Sequence, residues 1–168
     1  MFFITDSTFL IILYQIDNLY LIKKMIEICN TFILPEAVLN ELTKKGEIIS
    51  ILGDNNKIQY NIKYNESMFS KISSRYLQLG PGEVSVLCIY NERNNCDDVC
   101  ILDDHKARNA ADSLRHVKHG TVWFIEECYS NKILTKEKTL QILRDIRNQN
   151  FWIDKKIIID AIIRVSNS

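Results

Sequence analysis

Short apolar runs alternate along this chain with longer stretches of helical periodicity, and that alternation leaves few folds open. Phe2–Thr5 ("FFIT"), Thr31–Leu34 ("TFIL") and Val99–Leu102 ("VCIL") read as buried strands, with further strand candidates at Lys57–Ile62 and His116–His119. Between them, apolar residues recur at helical spacing from Ser7 to Ile16, from Leu19 to Ile28, from Pro35 to a close at Gly46, and through "GEVSVLCIY". In "HKARNAADSL", Ala107, Ala110, Ala111 and Leu114 fall at i, i+3, i+4 and i+7, one face of a helix. Parallel neighbours need a crossover between them, so short strands separated by helices predict an α/β domain with a central parallel sheet. "NERNNCDD" reads as a loop, and the region from Glu47 to Gln78 carries only weak helical patterns. Beyond Lys132, two amphipathic stretches flank "NFWI", a C-terminal helical hairpin with Thr135 and Asp154 placed as caps. The expected division is therefore residues 1–133 as the α/β domain and 134–168 as a hairpin packed on it or extending it.

Charge and composition narrow the function classes. Lys plus Arg and Asp plus Glu balance at 21 each, so net charge gives no vote for a nucleic-acid partner and none against a local basic patch. The apolar N-terminus lacks a basic leader and a cleavage site, and a membrane span there would carry Asp6, Gln15, Asp17 and Asn18 through lipid. Five cysteines form no CxxC pair; Cys96, Cys100 and His105 have poor spacing for zinc and no evident fourth ligand. The expectation is a reduced, cytoplasmic protein with no membrane role.

Two carboxylates follow "VCIL" directly, Asp103 and Asp104, and Asp6 follows "FFIT". In open parallel sheets, ligands bind beyond the carboxyl ends of the strands, where these acids fall. In "PEAVLNEL", Glu41 borders the buried stripe of Val38 and Leu42. Glu83 lies in the first turn of its helix, beside a Gly-Pro-Gly bend that lets backbone approach closely. Spacing leaves two readings open. Each acid alone is an ordinary cap or helix acid; together they form a cluster whose repulsion a hard divalent cation, Mg²⁺ or Mn²⁺, would relieve.

In order along the chain, "FITDSTFLI", "ILPEAVLNEL", "LGPGEVSVLCIY", "ILDDHKARNAA" and "HGTVWFIEECYSNKIL" resemble the successive motifs of the PIN-domain family, and more closely its VapC-like toxin branch. The C-terminal "LRDIRNQNFWIDKKIIIDAI" resembles that branch as well. Phe9 stands where a Pro is common after the first acid, and "GTVW" departs from the family's glycine-rich "GTxG". The resemblance implies a three-layer α/β/α fold and a metal-dependent endoribonuclease. Asp6, Glu41, Glu83 and Asp104 match the acidic positions, with Asp103 an additional metal candidate. Ser7 and Thr121 match hydroxyl positions suited to holding a ligand water. Lys106 and Arg108 stand where they could contact RNA phosphates, or simply face solvent. His105, His116 and His119 are read as structural. The resemblance further implies an RNA substrate, a homodimer and a cognate antitoxin, with a toxin role as the leading reading. An RNA-processing PIN protein or a catalytically silent interaction module is the alternative, and a haloacid-dehalogenase phosphatase would want Asp-x-Asp where this chain has "DST".

Overall fold

The computed structural model describes residues 1–28, 31–149 and 151–168. Five parallel strands, β1 (Phe2–Thr5), β2 (Thr31–Pro35), β3 (Ile58–Ile62), β4 (Val99–Ile101) and β5 (Lys118–His119), lie in the order β3-β2-β1-β4-β5. The first three strands build outward on one side of β1, and the chain then returns to add β4 and β5 on the other. The direction of winding therefore reverses between β1 and β4, and the crevice of such a sheet opens at that switch point, beyond the carboxyl ends of the two strands.

Ten helices cover the sheet on both faces among the described residues: α1 (Ser7–Gln15), α2 (Tyr20–Ile28), α3 (Glu36–Glu41), α4 (Lys45–Leu52), α5 (Glu66–Arg75), α6 (Pro81–Arg93), α7 (His105–Ser113), α8 (Thr121–Ser130), α9 (Lys136–Asn148) and α10 (Lys155–Asn167). The result is the expected three-layer α/β/α arrangement. Phe3 and Phe32 are register partners, so their side chains share a face, where they meet Phe9 of α1 and Phe124 of α8. Ring centroids there are 5.0–6.4 Å apart, the spacing of edge-on and offset aromatic packing. Helix α6 packs on β1, β2 and β4 and is flanked by α3, α5 and α7, which explains why "GEVSVLCIY" is apolar all round. The α9–α10 hairpin packs on α8, and its Ile142, Leu143, Ile146 and Ile158 are continuous with the main core.

Two local expectations need correction. The helix expected to run from Pro35 to Gly46 stops at Glu41: Leu42 turns extended and buried, and α4 begins at Lys45 and runs through Gly46. Gly46 stands in the first turn of α4 with nothing near its would-be Cβ. Pro35 itself closes β2, paired with Ile62 across an irregularity in the register. In "NERNNCDD", Asn91–Arg93 belong to α6, and the helix ends where Asn94 adopts the left-handed conformation at φ 45°. Arg93 then ion-pairs with fully buried Asp98 at 2.6 Å, and Asp98 also accepts the Phe2 N–H at 3.0 Å. Cys29 and the Asn150 of "NFWI" lie outside the described residues.

Candidate functional site: an edge of helix starts and carboxylates

Every acid singled out in the sequence stands at the carboxyl edge of the sheet, and each is tied to the start of a helix. Asp6 follows β1 and is the N-cap of α1: its Oδ1 accepts the Phe9 N–H at 2.9 Å. Asp104 caps α7 through the Ala107 N–H at 2.8 Å. Helices α6 and α8 begin at Gly80 and Gly120, which have no side chain to offer, and other residues supply the missing acceptors. Glu41, from the end of α3, accepts the Gly82 N–H at 2.6 Å, while the Glu83 carboxylate lies against Gly80, its Oε2 2.7 Å from where a Cβ there would stand. Asp103 accepts the Thr121 N–H at 2.9 Å and the Thr121 hydroxyl at 2.5 Å. Four helix N-termini, with their partial positive charge, are thus aimed at one edge, each met by a carboxylate.

The glycines make this contact possible. A Cβ on Gly82 would stand 2.4 Å from the Oε2 of Glu41, and one on Gly120 2.7 Å from the Oδ1 of Asp103. Neither distance is sterically allowed, so both backbones are cradles for a carboxylate.

The hydroxyls expected to hold a ligand water are already engaged with acids. Ser7 donates to the Oε2 of Glu41 at 2.7 Å, as Thr121 does to Asp103. The side chain of Asp103, the additional metal candidate, is taken up by Thr121, while its backbone N–H approaches the Asp6 Oδ2 at 3.4 Å. Arg108 is half-buried and donates to the Leu102 carbonyl at 3.0 Å, whereas Lys106 is exposed. His116 stacks on Tyr90 with ring centroids 4.3 Å apart, and its Nε2 meets the Asn91 Oδ1 at 3.0 Å. Cys96 is exposed while Cys100 is buried in β4.

Electrostatically the acids are one system. Burial, and then the charge of Asp103, push the Asp6 carboxyl well above its ordinary value; the N–H groups of Phe9 and Asp103 oppose this, and Glu83 adds to it. Burial also raises Glu83, with the carboxylates of Glu41 and Asp104 adding to the effect. Asp103 is raised by burial and pulled back by Thr121 and Arg108. As donors, these oxygens suit a hard divalent cation, which would relieve the repulsion. Among the described residues, however, no three His, Cys, Asp or Glu side chains are arranged to hold one metal ion. The carboxylates are drawn to their separate helix ends instead of closing on one point.

Sequence reasoning missed the cleft beside this edge. Asp103, Arg108 and Gly120 form one end of a cavity of about 380 Å³ that runs across α8 to the α9–α10 junction and includes His119, Trp123 and Trp152. The signal that could have found it was Trp152 in "NFWI", a tryptophan at a helix junction without helical periodicity to bury it.

No helix among the described residues is long and apolar enough to cross a membrane. No curated protein and no solved structure matches the chain. A family model described as PIN domain matches residues 2–167, hairpin included. Spanning nearly all of the chain, that match shows that it belongs to the PIN-domain family, whose members are as a rule nucleases acting on RNA or DNA, generally with divalent metal ions.

Proposed function

We propose that this protein is a metal-dependent endoribonuclease with its active centre at the acidic edge, and that it is the toxin of a toxin–antitoxin pair. The observation that carries the first part is Asp6: a carboxylate 1% exposed, at the switch point, facing two further carboxylates. Capping explains only part of this. A cap contributes about 1 kcal/mol, and Ser or Thr would supply one without charge. Burying an ion costs several kcal/mol in effect. The difference argues for a ligand that needs the charge.

Asp6, Glu83, Glu41 and Asp104 would hold the cation, Mg²⁺ or Mn²⁺, with Asp103 close behind. When bound, such an ion lowers the pKa of water and stabilises charge on a phosphodiester under attack. The chain's own contribution is positioning. Ser7 and Gly82 hold Glu41 against the α6 start, and Thr121 holds Asp103. Burial, with the charges of Glu41 and Asp104 adding to it, raises the carboxyl group of Glu83, and a bound cation would offset that cost. Arg108, at the rim, offers a cation to a phosphate.

The toxin role, with an antitoxin segment covering the edge in a homodimer, rests on the resemblance of the five motifs to VapC-like proteins. Exposed Ile159 and Ile163 on α10 offer an apolar face to such a partner. One observation favours a catalytically silent module instead: every acid already serves a helix end, and no three are arranged for an ion among the described residues. Purified protein incubated with mixed structured and single-stranded RNA, in Mg²⁺, Mn²⁺ or EDTA, beside Asp6→Asn, separates the two. Cleavage that needs metal and is lost in Asp6→Asn is the expected result; RNA left intact under all metals by a folded protein refutes the nuclease reading.

A further inference from the structure

The 380 Å³ cleft beside the acidic edge is within the size range of small-ligand pockets, about 300–1,000 Å³. Its walls are aromatic. His119 and Trp123 stack on each other at 3.9 Å between centroids and 13° between planes, forming a paired surface anchored on β5 and α8. Trp152 lines the same cleft and is 94% exposed. Its neighbours Phe151 and Ile153 are half-buried against the core, so the junction is held in place while the indole between them is presented outward. A side chain of that size normally covers apolar surface; this one covers almost none.

The charged groups of the cleft do not add up to an anion site. Arg164 is held by Glu126 through two bonds of 2.8 and 2.9 Å, and Asp154 is engaged with the Lys156 N–H that starts α10. Asp103 and Arg108 stand close together at the other end. What remains is a lining with aromatic faces, its charged groups engaged by neighbouring protein groups. A flat, neutral heteroaromatic ring with polar edges complements such a lining, and a nucleobase is that ligand. A base within a duplex cannot offer its face, so the occupant is unpaired.

We propose that this cleft is a subsite for the base of an unpaired nucleotide next to the phosphate being cut, with Trp152 as its stacking platform. The inference rests on the nuclease reading of the acidic edge, because Asp103 and Arg108 belong to both places and make them continuous. It assigns the α9–α10 junction a role in choosing single-stranded substrate.

The test uses the full chain in an Asp6→Asn background with Mg²⁺, so that no strand is cut during measurement. A labelled single-stranded RNA and its perfect duplex are titrated by anisotropy, with tryptophan emission read in parallel and the oligomeric state followed by sedimentation. Stacking on one aromatic side chain is worth about 5- to 150-fold in affinity. Trp152→Ala is therefore expected to weaken single-strand binding about tenfold or more, to leave duplex binding unchanged, and to abolish most of the emission quenching. Trp152→Phe is expected to restore most of the affinity. Because Trp152 is exposed, its melting curve serves as a control that should not move. Single-strand affinity unchanged by Trp152→Ala, equal loss for the duplex, or no RNA binding by the parent overturns the subsite. So does a loss of binding that accompanies a change from dimer to monomer, which would make Trp152 a protein contact. Cleavage by the unmodified enzyme is scored separately: cleavage with no Trp152 effect removes only the subsite, and a Trp152 effect without cleavage removes the nuclease reading and reduces the cleft to a base-binding site with no cut phosphate beside it.

Discussion

Gly82→Ala should silence the acidic edge while leaving the fold nearly as stable as before. The new methyl group would stand 2.4 and 2.7 Å from the two carboxylate oxygens of Glu41, so that carboxylate must leave. It can do so cheaply, because Glu41 is exposed and its end is flexible. The lost bond from Gly82 N–H at 2.6 Å is charge-assisted but open to water, so its loss costs about 1 kcal/mol. Against this, alanine is favoured over glycine in a helix by up to about 1 kcal/mol, somewhat less in a first turn. The two nearly cancel. For a domain of this size about 1 kcal/mol moves Tm by roughly 2–4 °C, so a melt within about 4 °C of the parent is expected. Activity follows position instead: misplacing a catalytic group by about 1 Å can cost on the order of 100-fold. Initial rates of RNA cleavage in Mg²⁺, with a calorimetric melt of the same sample, measure both. Glu41→Gln, which keeps the length and the contact but removes the charge, should be as slow. A Gly82→Ala protein that cleaves at the parent rate would remove Glu41 from the site, and a Tm loss above about 10 °C would show that backbone, not a mobile carboxylate, opposes the methyl group.

Asp6→Asn keeps the cap on Phe9 and should raise Tm at pH 7.5, because the Asp6 carboxyl is raised above its unfolded value. Such a group stabilises fully only below its unfolded pKa and loses that stability as pH rises through the folded one, so the gain should fade on acidification; equal melts at pH 7.5 and 4 would contradict it. Mg²⁺ should raise the parent's Tm, EDTA should reverse the rise, and Asp6→Asn should not respond. His116, pushed by burial down to about 4, binds its proton less well when folded, so stability should fall by about 3 kcal/mol between pH 6.5 and 4. His116→Phe, which can keep the stack on Tyr90, should remove that share in acid titrations followed by urea unfolding. Asp98→Ala strands Arg93 and the Phe2 N–H and should cost about 3 kcal/mol with no change in metal dependence.

The strands and most helix starts were legible because each was marked twice, by an apolar run and by the residue that ends it. Thr135 and Asp154 cap α9 and α10 as their spacing implies. The acids were legible as strand-end and helix-start residues, and all five stand at one edge. What single-sequence reasoning could not supply was partner choice. Glycine starts for α6 and α8 leave acceptors to be provided from 41 and 18 residues away in sequence, and nothing local in "PEAVLNEL" shows that Glu41 serves α6. The break after Glu41 was equally hidden: Leu42 leaves the helix to be buried, a tertiary gain that overrides local propensity. The cleft at Trp152 joins three segments distant in sequence, so periodicity alone has no view of it.

The order of strands also sets a timetable. Asp6, Glu41 and Glu83 are synthesised first, but the partners of Asp6 on the far side of β1 arrive only with Ile101 and Asp103, and Asp103 is fixed only once Thr121 has followed. A nascent chain short of α8 therefore carries all five acids without the wall that assembles them. Under the proposed nuclease reading, the sheet order itself delays competence until synthesis is well past its midpoint.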